Sequence, residues 1–147
     1  MIASRPPIPA LRPFVRVLWV TAGAPGALVQ RERVLPTGGV HVVLRSAPLR
    51  VYADDADLVG RIVGDALVGG ARAAPYLRDA APVAWSVGAM LEPGAAPLLL
   101  GVPAHELADA HTTLDDVWGD AAVSAMRARL AEPVTPERRL AAFEQLL

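Results

Sequence analysis

Two blocks constrain this chain most: Arg31–Arg45 (RERVLPTGGVHVVLR) and Gly64–Tyr76 (GDALVGGARAAPY). Each couples a β-rich apolar run to a pair of adjacent glycines. Pro36-Thr37-Gly38-Gly39 reads as a turn between two short strands. Gly69-Gly70 closes a strand, and Pro75 stiffens the segment after it. Neither block holds a catalytic constellation. The pattern predicts a β-framework around a site whose chemistry no motif spells out.

The strand texture extends to about Met90. Phe14–Val20, Arg31–Leu35, Val40–Arg45, Leu49–Tyr52, Ile62–Val68 and Val83–Met90 are short runs rich in β-branched and aromatic residues. Ser46-Ala47-Pro48 separates two of them as in a meander, and Asp54–Asp57 is a solvated loop. Six strands at this spacing predict a small barrel or sandwich. After Glu92-Pro93-Gly94 the texture turns helical. Ala95–Leu100 and Pro103–Leu107 read as short helical turns, with Pro103 at a favourable helix start. Thr113–Trp118 is a third short helix. Gly119-Asp120 caps a longer one, Ala121–Ala131, ended by Pro133. Thr135 then acts as N-cap, with Pro136 at the first position, for a last helix. The apolar stripes are Val123, Met126 and Leu130, then Leu140, Phe143 and Leu147. The chain stops inside the second stripe and so reads as a piece cut from a longer one.

Composition excludes several classes. The 147 residues suffice for one domain with a core, and 53% of them are apolar. All 14 cations are arginine; against 15 carboxylates they leave a net charge of −1, a poor balance for a free nucleic-acid binder. The excess of Ala, Pro, Gly and Arg over Lys is the bias of a GC-rich bacterial genome. Without cysteine there is neither disulfide nor thiolate chemistry. No signal-peptide pattern opens the chain, and no apolar run reaches the roughly 20 residues of a membrane span. A cytoplasmic location is the expectation.

In order, LRPFVRVLWV, ERVLPTGGVHVVLR, VGGARAAPY, SVGAMLEPGAAPLLLGVPAHEL and TLDDVWG resemble the N-terminal domain of AraC-type bacterial transcription regulators, over roughly Pro9–Leu147. The resemblance implies a cupin-like β-barrel sensor domain followed by dimerisation helices. It also implies a DNA-binding domain with two helix-turn-helix motifs further on. Nothing after Ala121 has the length, turn glycine or basic surface for that domain, so DNA binding is implied for the parent protein alone.

The candidate site residues are few. His41, Val43 and Arg45 alternate with Val40, Val42 and Leu44, so one strand face carries His and Arg and the other is apolar. His41 and Arg45 would orient a polar or anionic ligand; the alternative is an ordinary half-exposed strand with a structural histidine. Trp19, Tyr52 and Trp85 would supply flat pocket walls, the alternative being core packing. Trp118 would anchor the helices. No metal site is expected. His41 has Val43 where a cupin metal pair needs its second histidine, and His105 and His111 fall in the helical half. His105 reads as the exposed first turn of a helix. No cofactor or catalytic residue is expected: Ser4, Ser46, Ser86 and Ser124 lie in no GxSxG turn, Asp54, Asp55 and Asp57 lack an apolar setting, and no glycine run is a phosphate loop.

The expected fold is therefore α+β, a cupin-like β-barrel over about residues 9–92 with a helical layer over about 95–147, in one regulatory domain. The expected function is to sense a small-molecule effector and to dimerise, with Leu140, Phe143 and Leu147 at the dimer contact. The alternatives are a small cupin-like enzyme, an isomerase or hydrolase, and a pure dimerisation module whose barrel interior is filled.

Overall fold

The computed structural model describes residues 2–23, 30–80 and 83–147. Among them the strands are β1 (Ile2–Arg5), β2 (Val15–Ala22), β3 (Arg31–Val34), β4 (His41–Tyr52), β5 (Arg61–Gly69), β6 (Tyr76–Asp79), β7 (Trp85–Leu91) and β8 (His111–Thr113). The helices are α1 (Ala96–Leu100), α2 (Ala104–Leu107), α3 (Leu114–Trp118), α4 (Asp120–Ala131) and α5 (Pro136–Leu146). No helix among the described residues is long and apolar enough to cross a membrane.

All strand pairs are antiparallel, in the order β1-β2-β7-β4-β5-β8; β6 pairs with the far end of β4 and carries β3 on its other side. The sheet is not closed into a barrel, against the expectation from strand count. The reason lies in β4. This 12-residue strand runs straight through Ser46-Ala47-Pro48, where a turn was expected. Its register with β5 shifts between Leu44 and Leu49, which takes Pro48 out of the ladder it cannot donate to. Beyond the shift, Val51 and Tyr52 pair with β6. The β6–β3 ribbon therefore hangs from the end of β4, and the outer strands β1 and β8 stay unjoined. The Pro36–Gly39 turn does not make a hairpin either, since β3 pairs with β6. The division near residue 92 also blurs, because β1 precedes the expected barrel and β8 returns from the helical half to pair with β5.

The sheet has two distinct faces. On one, Leu18, Val20, Val42, Leu44, Val68, Val87 and Ala89 are buried together with Leu114, Val123, Leu130, Leu140 and Phe143 from the helices. Each large side chain so buried contributes about 1.5–3 kcal/mol, so this layer is the stability core. Thr113 and Thr135 cap α3 and α5, accepting from the backbone N–H of Asp116 and Arg138 at 3.3 Å each. Charged ties lock the layers. The Arg5 guanidinium donates to both Glu144 carboxylate oxygens at 2.9 and 2.6 Å. Arg127 of α4 donates to Asp65 of β5 at 3.0 Å and to both oxygens of Asp115 at 2.9 and 2.8 Å.

Gly70 explains half of the Gly69-Gly70 signal. A Cβ there would stand 1.5 Å from the Leu107 carbonyl oxygen, so only glycine lets the segment after α2 cross the end of β5. The Gly70 N–H donates to the Ala110 carbonyl at 3.0 Å, which aligns the chain for β8.

Candidate functional site

The other face of the sheet, under the β3–β6 ribbon, forms a partly open cavity of about 400 Å³. That volume falls in the range of small-molecule sites. Strand pairing arranges its floor in three rows. In the first, Thr21, Ser86 and Arg45 are neighbours across β2, β7 and β4. In the second, Trp19, Gly88, Val43 and Leu67 lie side by side. The third places His41, Gly69 and His111 across β4, β5 and β8. Glu32, Val34, Tyr76, Arg78 and Asp79 form the roof.

The first row is polar and unbalanced. Arg45 Nη1 is buried without a hydrogen-bond partner among the described residues. Burial, and then the like charge of Arg78, push the Arg45 guanidinium below its ordinary pKa, with Tyr76, Asp79 and Glu32 partly offsetting this. Those carboxylates are already engaged. Arg78 Nε donates to Glu32 at 2.5 Å, the Tyr52 hydroxyl donates to Asp79 at 2.5 Å, and Arg50 stands 3.9 Å from Asp79. A buried guanidinium nitrogen that keeps a free donor is costly unless something else accepts from it.

The second row is flat and apolar. A Cβ on Gly88 would lie 2.1 Å from Trp19 Cζ2, so the indole lies across a strip of bare backbone that only glycine provides. The third row is polar again. His41 meets the Trp19 edge at 5.8 Å between ring centroids and Thr37 Oγ1 at 3.4 Å, and burial lowers its pKa. His111 Nδ1 sits 3.0 Å from Arg72 Nη2, and its ring meets Tyr76 edge-on at 4.9 Å. Burial, followed by the charges of Arg72, Arg61 and Arg78, pushes His111 down to about 4. It is neutral at pH 7. Because the guanidinium only donates, Nδ1 accepts and Nε2 carries the proton. Among the described residues no three His, Asp or Glu side chains converge as a metal would require. The site offers hydrogen-bond donors, a cation and a flat wall.

Trp19, His41 and Arg45 thus come together on the cavity wall. Tyr52 does not line it: Tyr52 borders a separate cleft, stacks under the Arg31 guanidinium at 3.9 Å and reaches the cavity only through Asp79. Trp85 lies on the opposite face. Parity puts it with Val87, Ala89 and Leu91, and it packs against the core with Arg139 4.9 Å above its ring. Leu140 and Phe143, expected at a partner, are 3% and 0% exposed inside the chain's own core, and Leu147 packs half-buried against it. Trp118 also packs there, and His105 is exposed on α2. Sequence reasoning missed Thr21, Ser86, Arg78 and Tyr76, and it set His111 in the helical half. Ser86 carried a readable signal, as the one polar residue in an apolar strand.

The family described as Domain of unknown function (DUF6597) matches residues 3–113, and the chain belongs to that family. The match spans every strand from β2 to β8 and so the whole cavity floor. No curated protein and no solved structure matches the chain.

Proposed function

We propose that this domain is the small-molecule-sensing part of a transcription regulator of the AraC type, and that it acts by binding and not by catalysis. The order of segments from LRPFVRVLWV to TLDDVWG supports the regulator half of this reading. One observation carries the sensing half: a cavity of about 400 Å³ lined by Arg45, a residue whose Nη1 is left without a partner among the described residues. A module built only to dimerise has no use for such a space. The mechanism rests on the two-faced sheet. Arg45 and Ser86 face the cavity, while their neighbours Leu44 and Val87 pack beneath the helices. A ligand that binds one placement of β4 and β7 better than another shifts the population of helix arrangements, and so biases an attached DNA-binding domain.

A thermal-shift screen with a metabolite collection tests the sensing half. A ligand specific for the folded state adds about 2.7 kcal/mol at a hundred times its Kd. At least one compound should raise the melting temperature in a concentration-dependent way; a collection without one refutes the reading. For the regulator half, this chain alone should not shift promoter DNA at low salt, whereas the product of its full reading frame should. Sub-micromolar DNA binding by residues 1–147 alone counts against that assignment.

A further inference from the structure

Resting on the sensing reading, we propose that the cavity selects a small carboxylate with a flat apolar body and a hydroxyl or carbonyl group at its far end. The three rows of the floor supply the three parts of this description. At one end, Arg45 Nη1 has no acceptor among the described residues, Ser86 is the cross-strand neighbour of Arg45 on β7, and Thr21 follows one strand further on β2. A guanidinium with two neighbouring hydroxyls is a donor set for a carboxylate. Glu32 and Asp79 offset the Arg45 charge only in part and are bonded to Arg78 and Tyr52, so an anionic acceptor completes the balance where an alcohol or amide oxygen would not.

Trp19, lying over Gly88, makes a flat wall in the middle row and favours a planar apolar body. His41 and His111 stand at the far end with only Gly69 between them. His111 offers its Nε2–H, since Nδ1 is taken by Arg72, and the His41 ring offers one donor and one acceptor, so this end takes a hydroxyl or a carbonyl. Arg45 and His41 are four residues apart on one strand, roughly 13 Å between their Cα atoms. The span suits a single-ring acid better than a short-chain one.

Calorimetry with matched probes tests this: 4-hydroxycinnamate, its primary amide, and cinnamate, titrated into the full chain and into Arg45→Met, with Trp19 fluorescence as the second readout. Wild type should bind 4-hydroxycinnamate at least about tenfold more tightly than the amide. It should bind cinnamate more weakly than 4-hydroxycinnamate. Arg45→Met should lose the preference for acid over amide. If acid and amide bind equally and both quench Trp19, the carboxylate assignment falls while the sensing reading stands. If no probe binds up to millimolar concentration, the carboxylate assignment falls, and the sensing reading then stands or falls on the metabolite screen. Should Arg45→Met not fold, the comparison of acid with amide on wild type decides alone.

Discussion

Replacing Arg45 by methionine should make the ligand-free domain more stable. Methionine keeps the unbranched apolar stem of arginine and drops the guanidinium. In the free protein Nη1 is buried without a partner among the described residues, and such an unsatisfied group costs about 1–3 kcal/mol. Relief of the repulsion from Arg78 adds to the gain, and the lost attraction to Asp79 and Glu32 subtracts from it. The net expectation is a stabilisation of roughly 1–2 kcal/mol, or about 3–8 °C in melting temperature for a chain of this size. Urea unfolding followed by tryptophan fluorescence measures it; the midpoint should rise with an unchanged slope. The same variant loses the acid-selective site, the usual trade between a strained binding group and stability. If Arg45→Met is less stable than wild type by more than about 1 kcal/mol, Arg45 serves the fold and the argument from its free nitrogen fails.

Three further outcomes are expected. Gly88→Val must displace the Trp19 indole, since even a Cβ would lie 2.1 Å from it; the tryptophan emission should shift and cavity binding should drop while the domain stays folded by circular dichroism. Phe143→Ala should cost about 3–5 kcal/mol in a denaturant titration, because the ring is 0% exposed within the chain, and should leave the sedimentation behaviour of the folded fraction unchanged. His111 should resist protonation until pH about 4 in an NMR titration. Its folded pKa lies below the ordinary 6.5, so the unfolded chain binds the proton first. His111 thus makes stability rise with pH between about 4 and 6.5, and His111→Gln should flatten that limb.

Parts of this architecture are legible in the sequence because they depend on neighbours along the chain. Thr135-Pro136 starts α5 by local capping, and the stripes of α4 and α5 come from helical period. Alternation along β4 puts His41, Val43 and Arg45 on one face without reference to the rest of the fold. The same parity was available for Trp85, which shares its face with Val87, Ala89 and Leu91; the aromatic ring drew the assignment to a pocket where counting by twos leads to the core. Features that depend on distant partners are not displayed in the sequence. β6 and β8 have four and three residues, too short for a pattern, and exist through their pairing with β3, β4 and β5. The open sheet turns on a register shift in β4 around Pro48, which composition alone reads as a turn. Leu140 and Phe143 are covered by the chain's own core, and in sequence an apolar helix face looks the same whether it meets a second chain or its own sheet.

The most direct test of the central claim, that the face under the β3–β6 ribbon is a ligand site, is an ¹⁵N NMR titration with 4-hydroxycinnamate. It should track the backbone amides, the Trp19 indole N–H and the Arg45 Nε–H. The expected result is a saturable set of shifts confined to Trp19, Thr21, His41, Val43, Arg45, Ser86 and His111, with α5 responding only where it touches β2 and β7. Shifts centred on the exposed helix surface, or an Arg45 Nε–H that does not move while others saturate, would contradict it.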